Sequence, residues 1–254
     1  MNPLGPRRPA VVVGAAHGIG AAVVEQLCVL DMIDEAVLVD RASDALIGTI
    51  SRLNQAFPDV KLHPVVASMP DQLDAACSIL TRPGYGVVAA GIFEGGPSLT
   101  VDRESIERVV STDLVAASLA ARTICSRLAH AGGGSFVAIS SIAARVPRPE
   151  QLAYAAAKAG LSHAMRVLGL EVAPLGVRVN IVAPGVTDTR FVPAHLDRST
   201  LATGASAAYR APIPRGTIAT PTDIGSAAAA LLSPLMSHVY LHELVVDGGE
   251  SLGR

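Results

Sequence analysis

The sequence predicts an α/β protein in which a parallel sheet of about seven strands is covered by helices on both faces. Short apolar runs alternate along the chain with longer helical patterns, which is typical of βαβ units. Several of these runs are continuously apolar, as expected for strands that are buried on both faces. Half of the 254 residues are hydrophobic and 17% are charged, so a single domain, residues 1–254, can hold a large core.

The first predicted strand, Ala10–Gly14, reads AVVVG and consists mainly of valine, whose β-branched side chain favours extended backbone. Later apolar runs of similar length predict six more strands, which are Ala36–Asp40, Leu62–Ala67, Gly86–Ala90, Ser135–Ser140, Val177–Val182 and Glu243–Asp247.

Helical patterns occupy most of the intervals between these strands. The predicted helices are Gly18 to about Leu30, Ala42–Ala56, Asp71–Leu80, Arg103–Ala131, about Gln151 to Ala173, and Pro221–Leu232. The segment from Thr187 to about Thr220 contains several prolines and glycines and fits neither pattern. Because long irregular loops in compact domains are usually functional, we expect a lid over residues 187–220.

Charge and cysteine content exclude several classes of protein. The net charge is -2 and the arginines are scattered, which disfavours nucleic acid as a partner. The apolar start of the chain is interrupted by glycines and lacks the form of a secretion signal, and we expect no membrane span. Three widely spaced cysteines predict buried thiols in a reducing compartment and no metal site. We therefore expect a cytoplasmic protein.

A glycine-rich turn directly follows the first strand. It reads GAAHGIG over residues 14–20, and a helix is predicted to begin within it. Glycines let the chain turn tightly and let backbone N–H groups and a helix N-terminus approach a pyrophosphate. The strand–turn–helix context predicts a dinucleotide site rather than glycines that serve only packing.

An acidic residue, Asp40, ends the second strand 20 residues beyond Gly20. A carboxylate there can accept hydrogen bonds from an adenosine ribose and would repel the 2′-phosphate of NADP, so we expect NAD as the cofactor. The alternative is that Asp40 only caps the following helix, a role for which Ser43 also competes. Arg41 could neutralise a 2′-phosphate, which leaves NADP open, although we interpret Arg41 as flanking the adenine.

Three polar residues form a candidate catalytic group. Ser141 follows the strand SFVAIS, at the carboxyl end where ligands bind in parallel sheets, and its hydroxyl can hold a substrate oxygen. Tyr154 and Lys158 lie four residues apart in a predicted helix and share one face. A nearby ammonium favours the tyrosine phenolate, which can then exchange protons near neutral pH. The alternative, a surface Tyr and Lys, is disfavoured because Lys158 is one of two lysines and lies in the apolar stretch YAAAKAGL.

These motifs together resemble the short-chain dehydrogenase/reductase family. The combination consists of GAAHGIG, the AAG of residues 89–91, the Ser, Tyr and Lys of the candidate catalytic group, and Pro184-Gly185 followed by Thr187. The likeness extends from about Pro9 to Gly253. It implies a single Rossmann-type, doubly wound domain, a homotetramer, and a substrate lid at about 187–220.

The resemblance also implies a role for each matching residue. Tyr154 would be the acid/base, Lys158 would assist it and hold the nicotinamide ribose, and Ser141 would orient the substrate oxygen. The cofactor-binding residues would be Gly14, His17, Gly18, Ile19, Gly20, Asp40, Arg41, Ala90, Gly91, Tyr154, Lys158, Pro184, Gly185 and Thr187.

Three positions depart from the family pattern. Asp113 stands where the family has an Asn that relays protons through the lysine and water, and we count Asp113 among the catalytic residues. An Asp can kink the helix and bind water similarly, and it can also slow or alter the relay. Val88 replaces an Asn at the end of the fourth strand, and Ser68 replaces an Asp that touches the adenine.

Two stretches, GLEVAPLGVRVNIVAPGVTDTR and SHVYLHELVVDGGESLG, are similar to 2,3-dihydro-2,3-dihydroxybenzoate dehydrogenases. This resemblance implies oxidation of a ring hydroxyl of a cyclohexadiene carboxylic acid, giving a ketone that tautomerises to an aromatic acid. The substrate carboxylate needs a cation, and Arg148 is the candidate. Arg145 and Arg190 are weaker candidates, which we expect to be solvated or paired with Glu150 or Asp188.

Three alternatives stay open. A trans-2,3-dihydro-3-hydroxyanthranilate substrate, which would belong to antibiotic rather than siderophore biosynthesis, is not distinguished by any residue. A general ketone or 3-oxoacyl reductase would prefer NADPH, which Asp40 disfavours. A catalytically weakened dinucleotide-binding regulator is suggested by Val88 and Asp113, but the intact catalytic group disfavours it.

Overall fold

The computed structural model describes residues 4–68, 72–192, 197–205 and 210–252. Within these ranges, seven strands form one parallel sheet in the order β3-β2-β1-β4-β5-β6-β7. The fold class predicted from the sequence is confirmed, and each predicted strand boundary lies within two residues of the observed one. The strands are β1 Ala10–Val13, β2 Glu35–Asp40, β3 Lys61–Val66, β4 Tyr85–Val88, β5 Gly134–Ile139, β6 Val177–Pro184 and β7 Glu243–Val246.

Helices cover both faces of this sheet. In the described ranges they are α1 Gly18–Val29, α2 Ser43–Ala56, α3 Leu73–Cys77, α4 Arg103–Val110, α5 Ala117–His130, α6 Leu152–Val172, α7 Arg198–Thr203 and α8 Pro221–Leu232. Helices α1, α2 and α8 contribute to one apolar cluster, and α3, α5 and α6 contribute to another. Strand β1 explains why two clusters form, because Ala10 and Val12 join the first while Val11 and Val13 join the second. Its uninterrupted apolar run therefore reflects burial on both faces.

The helix predicted over Arg103–Ala131 contains a feature that the sequence did not predict. Between α4 and α5, Ser111–Ala116 forms a π-helical turn, which includes Asp113. Single π-helical turns inside α-helices are frequent at functional sites. By length and composition the helix from Arg103 to His130 could also cross a membrane. Its apolar side, however, packs against the sheet in the second cluster, and core helices commonly have this composition.

The predicted lid is partly described. It contains the short helix α7, which the sequence analysis treated as irregular, and residues 193–196 and 206–209 lie outside the described ranges. Two consecutive glycines after β7, Gly248 and Gly249, have φ values of 63° and 90°. A Cβ at either one would lie about 3 Å from the lid residues Ile213 or Pro214. These glycines therefore let the C-terminal turn Glu250–Leu252 pack beneath the lid.

The strand order reverses direction between β1 and β4. Parallel sheets bind ligands in the crevice at the carboxyl ends of the strands, at such a switch point. Gly14 follows β1 there with a φ of 83°, and a Cβ on it would overlap the backbone of Ala90, which follows β4. The first glycine of the turn is thus required by the close approach of two strand ends.

Candidate active site

One cavity of about 1120 Å³ opens at the carboxyl ends of the strands. Ligand pockets for drug-sized molecules occupy about 300–1,000 Å³, so this cavity has room for a dinucleotide and a small substrate. Every residue that the sequence analysis assigned to cofactor or substrate lines it, namely Gly14, His17, Gly18, Ile19, Gly20, Asp40, Arg41, Ala90, Gly91, Ser141, Arg148, Tyr154, Lys158, Pro184, Gly185 and Thr187.

The glycine-rich turn presents the N-terminus of α1 to the cavity. His17 is the N-cap residue of α1, and its side chain accepts no hydrogen bond from the first turn of the helix. A Cβ on Gly20 would overlap the carbonyl oxygen of Gly14, so the turn can close only with glycine there. An uncapped helix N-terminus at a glycine turn is a ready anion site, and this arrangement fits the pyrophosphate of a dinucleotide.

The pKa of His17 is shifted by charged groups near this turn. Burial lowers the pKa of the imidazole, and the positive charge of Arg190 lowers it further, while Asp40 opposes both effects. Thr189 reaches the same turn, since its side chain lies 3.5 Å from the position of a Cβ on Gly18. Thr189 and Arg190, which both line the cavity, were not assigned to the cofactor by the sequence analysis.

Asp40 has a structural role as well as a place on the cavity. Its carboxylate accepts hydrogen bonds from the backbone N–H groups of Ala16 and Ala42, both at 3.0 Å. It therefore ties the glycine-rich turn to Ala42, the N-cap residue of α2, but it does not cap that helix as the alternative supposed, since no side chain among the described residues accepts a hydrogen bond from the first turn of α2. Each carboxylate oxygen keeps a further lone pair, so these bonds leave Asp40 able to accept from a ribose hydroxyl.

Tyr154 and Lys158 lie on the buried side of α6, where they are 9% and 3% exposed. The Lys158 Nζ lies 5.6 Å from the centre of the Tyr154 ring and donates a hydrogen bond of 3.4 Å to the Ile139 carbonyl oxygen. Phe93 packs edge-on against the Tyr154 ring, with 5.1 Å between ring centres, a contact that sequence reasoning missed. The phenol is thus fixed between an aromatic ring and an ammonium group.

Asp113 lies behind Lys158 and does not line the cavity. It is fully buried in the π-helical turn, and its Oδ2 lies 3.1 Å from the Lys158 Nζ. Oδ1 accepts the Ile92 N–H at 2.7 Å, whereas Oδ2 has no partner with hydrogen-bond geometry among the described residues. Burial alone would lower the pKa of Lys158, but the negative charges of Asp113 and Tyr154 outweigh it and raise that pKa. Lys158 is therefore held as an ammonium.

Ser141 follows β5 and begins a short 3₁₀ turn. Its Oγ accepts the Ala143 N–H at 3.1 Å, so the hydroxyl proton remains free for a substrate oxygen. The neighbouring Ser140 also lines the cavity, but its Oγ lies 2.7 Å from the Ser162 Oγ and is hydrogen-bonded within the protein.

The three arginines considered for a substrate carboxylate have different surroundings. Arg148 lines the cavity, and its Nη2 lies 2.8 Å from Glu250 Oε1. Arg145 lies outside the cavity lining and is paired at 2.5 Å, as expected for a structural arginine, but its partner is the buried Glu243. The partners that the sequence analysis named are therefore wrong for Arg145. Arg190 is exposed, in line with the expectation that it is solvated, and the ion pair that the structure shows for Asp188 is with Arg198, at 3.0 Å.

The Thr187 hydroxyl, assigned to the cofactor from the sequence, already makes a hydrogen bond within the protein. Its hydroxyl donates to the carbonyl oxygen of Gly185 at 3.1 Å, and its backbone bridges to Ala219. The hydroxyl oxygen can therefore act toward a ligand only as an acceptor. Thr189, two residues further on, has its side chain against the glycine-rich turn and is the better placed of the two threonines.

Comparison with known proteins gives consistent matches. A family model described as enoyl-(acyl carrier protein) reductase matches residues 14–251. The chain is 30% identical to the vibriobactin-specific 2,3-dihydro-2,3-dihydroxybenzoate dehydrogenase of Vibrio cholerae, and the match covers 95% of each chain. It is 35% identical to the cis-4-hydroxycyclohexanecarboxylate dehydrogenase of Sinomonas cyclohexanicum, over 95% of this chain and 96% of that protein.

A solved structure has the same fold. It is a 7α-hydroxysteroid dehydrogenase complexed with NADH and 7-oxo glycochenodeoxycholic acid. The TM-score is 0.86 at 21% sequence identity, and the match covers 98% of this chain and 96% of that chain.

Proposed function

The chain belongs to the short-chain dehydrogenase/reductase family, and from this premise we propose that it uses NAD to oxidise a ring hydroxyl of a cyclohexadiene carboxylic acid, giving an aromatic acid. The substrate would be of the 2,3-dihydro-2,3-dihydroxybenzoate or trans-2,3-dihydro-3-hydroxyanthranilate type. The observation that carries the proposal is that Ser141, Tyr154 and Lys158 converge on the cavity that also holds the glycine-rich turn and Arg148.

The named relatives support the substrate class. A dihydrodihydroxybenzoate and a hydroxycyclohexanecarboxylate differ in ring saturation, but both carry a carboxylate and a hydroxyl on a six-membered ring. A cavity that offers a proton acceptor and a guanidinium fits both features. The second relative also makes a saturated hydroxycyclohexane acid a candidate substrate, which belongs in the same assay.

In the proposed mechanism, the Tyr154 phenolate oxygen accepts the proton of the ring hydroxyl. The Ser141 hydroxyl donates a hydrogen bond to the same substrate oxygen and fixes its position. A bound NAD would supply the hydride acceptor for the carbon that carries this oxygen. The resulting ketone tautomerises to the aromatic ring, which makes oxidation the favoured direction.

Lys158 and Asp113 support the proton transfer from behind Tyr154. The Lys158 ammonium favours the phenolate by its charge and would also hold the nicotinamide ribose. Asp113 keeps Lys158 charged and in place. We assign both as parts of the proton relay, with Asp113 acting through Lys158 rather than on the substrate.

The proposal also assigns the cofactor, the oligomeric state, the cellular location and the biosynthetic context. Asp40 favours NAD over NADP because a carboxylate repels a 2′-phosphate, and Pro184 and Gly185 would pack against the nicotinamide end. We also propose a cytoplasmic homotetramer that acts in siderophore or antibiotic biosynthesis on a small carboxylic acid.

Substitution of Tyr154 by Phe tests the enzyme assignment. Tyr154→Phe keeps the ring contact with Phe93 but removes the proton acceptor, so we expect NADH formation to be lost while NAD binding, measured by calorimetry, is retained. The matched control is Tyr240→Phe, at a partly exposed tyrosine outside the cavity lining, which should behave as the wild type. A Tyr154→Phe protein with full activity would contradict the mechanism. A wild-type protein that binds NAD and oxidises none of the ring acids would favour a regulator.

A further inference from the structure

A buried carboxylate joins two arginines at the wall of the cavity. The Oε1 atom of Glu250 lies 2.8 Å from Arg148 Nη2 and 3.2 Å from Arg210 Nε. The Glu250 side chain is 1% exposed, while those of Arg148 and Arg210 are 11% and 15% exposed. Charged groups are rarely buried to this degree unless they are paired or serve a ligand.

The cluster is asymmetric with respect to the cavity. Arg148 and Arg210 both line the cavity, whereas Glu250 does not. Two guanidinium groups share one carboxylate, so the cluster holds an excess positive charge on the cavity side. The Nε atom of Arg148 is also buried without a hydrogen-bond partner among the described residues. A buried donor without a partner is costly, so Glu250 alone does not satisfy the Arg148 guanidinium.

Glu250 is fixed from the opposite side by the cofactor region. Its Oε2 accepts the Val186 N–H at 3.4 Å, and a Cβ on Gly185 would lie 3.0 Å from the same oxygen. Glu250 therefore connects the Pro184-Gly185 segment, proposed to contact the nicotinamide, with both arginines. Few other orientations are open to a carboxylate that is held at both oxygens.

Arg210 belongs to the lid. Its backbone pairs in both directions with Ala205, and its Nη2 donates to the carbonyl oxygen of Leu201. The Arg210 side chain thus ties the described part of the lid around α7 to Glu250. A ligand that contacts Arg210 in the cavity would therefore also contact the lid.

We propose that Arg148 and Arg210 together form the anchor for the substrate carboxylate, and that Glu250 is the positioning residue that holds both guanidiniums toward the cavity. This inference rests on the proposed function and extends it, because it assigns a lid residue and a buried acid to the recognition of one negative charge. Two guanidiniums can bind the two oxygens of one carboxylate from different sides. The anchor selects substrates with a ring carboxylate over uncharged ring alcohols.

The test compares a charged and an uncharged substrate in matched variants. The dihydrodihydroxybenzoate and its carboxamide are assayed with NAD, and benzoate and benzamide are used as binding probes with NAD-loaded protein. For Arg210→Gln we expect the KM of the acid to rise about 10- to 100-fold, with kcat nearly unchanged. The carboxamide should be oxidised as by the wild type, and benzoate should bind more weakly while benzamide does not. Arg215→Gln, an exposed lid arginine outside the cavity lining, is the matched control and should change nothing.

The variant Glu250→Gln tests whether Glu250 positions the two arginines or only competes with the substrate for their charge. If Glu250 positions the arginines, the KM of the acid rises in this variant by a larger factor than the KM of the carboxamide. A lower KM of the acid would show that Glu250 only competes for the arginines and would overturn its assignment. If the variant does not fold, Arg210→Gln still decides the anchor, since an unchanged KM of the acid would overturn it. Absence of NADH from both acid and carboxamide in the wild type would instead contradict the proposed function.

Discussion

The buried pair of Asp113 and Lys158 is the residue-scale feature that bears most directly on the proposed proton transfer. The Asp113 Oδ2 lies 3.1 Å from the Lys158 Nζ, and both side chains are almost completely buried. The pair secures the charge of Lys158, and it also offsets part of the field that this ammonium exerts on Tyr154. A phenolate beside an ion-paired ammonium is stabilised less than one beside an ammonium without a carboxylate partner.

Substitution of Asp113 by Asn tests this trade-off. In Asp113→Asn the introduced amide keeps an oxygen for the Ile92 N–H but removes the charge, so Lys158 acts on Tyr154 without a competing carboxylate. We expect the acidic limb of the kcat/KM profile to move to lower pH, with about threefold higher kcat/KM at pH 6. A profile that keeps its position while activity changes would show that Asp113 has only a structural role. Thermal unfolding of both proteins is the control for folding.

Asp40 holds the glycine-rich turn and is also proposed to bind the adenosine ribose, and its replacement should separate the two roles. In Asp40→Ala we expect NAD to bind about tenfold more weakly and the discrimination against NADP to decrease, because the repulsive charge is gone. The variant should also be less stable, since two backbone N–H groups lose their acceptor. Asp44→Ala, in the first turn of α2 and outside the cavity lining, is the control. An unchanged preference between NAD and NADP would remove Asp40 from the cofactor site.

Sequence reasoning located single residues where a local pattern exists and failed where the partner is distant. The turn, Asp40 and the Tyr154–Lys158 pair are all readable from spacing within one or two elements. The pairing of Arg148 with Glu250 joins residues about 100 positions apart, and no local pattern indicates it. Thr189 was missed because Thr187 matches the same motif, and only the fold shows which hydroxyl is already used.

At the scale of elements, the N-terminal cap of α8 shows how two polar side chains stabilise the start of a helix. Thr220 Oγ1 accepts the Asp223 N–H at 3.2 Å, and the Asp223 carboxylate accepts the Thr220 N–H at 2.8 Å. This reciprocal capping box begins a helix that packs in the first apolar cluster beside α1. The predicted boundaries Pro221–Leu232 are confirmed for this helix.

Removal of this cap should destabilise the protein measurably. For Thr220→Ala we expect a loss of about 1 kcal/mol in the free energy of unfolding, as seen for N-cap residues in general. The measurement is denaturant unfolding at pH 7, with Thr81→Ala, at an exposed threonine, as the control. A loss no larger than in Thr81→Ala would contradict the role of the cap.

The pH dependence of the capping box follows from Asp223. Hydrogen bonds from the backbone and hydroxyl of Thr220 lower the pKa of this carboxyl group. Its contribution to stability is therefore fully present above the ordinary pKa of an aspartate and is lost as the pH falls through the lowered pKa. The stability difference between wild type and Asp223→Asn should accordingly disappear in strongly acidic solution, and a constant difference would contradict this explanation.

Elements differ in how well the sequence predicts them, for physical reasons. Strands buried on both faces leave an uninterrupted apolar run, as β1 and β4 do, whereas the edge strand β3 is exposed or half-buried along its length. The π-helical turn at Ser111–Ala116 leaves no periodic signal, because one widened turn does not disturb the apolar pattern of a long helix. Helix α7 has six residues, too few for a period of 3.6 to be recognised.

At the scale of the whole molecule, the fold brings together residues from both halves of the sequence. The glycine-rich turn follows β1, Ser141 follows β5, and Glu250 follows β7, yet all three lie around the carboxyl ends of one sheet. The residues proposed as carboxylate anchor, proton acceptor and dinucleotide site therefore line one continuous cavity. The order of strands and motifs made this convergence predictable, whereas the charge pairs at the cavity wall emerged only from the folded structure.

The most direct test of the proposed function is to follow NADH and the aromatic acid in the same reaction. Purified protein is incubated with NAD and either the dihydrodihydroxybenzoate or the dihydrohydroxyanthranilate, with cis-4-hydroxycyclohexanecarboxylate as the saturated comparison. We expect one of the cyclohexadiene acids to yield NADH and aromatic acid in equal amounts. No NADH from either cyclohexadiene acid, with wild-type NAD binding intact, would contradict the proposed function.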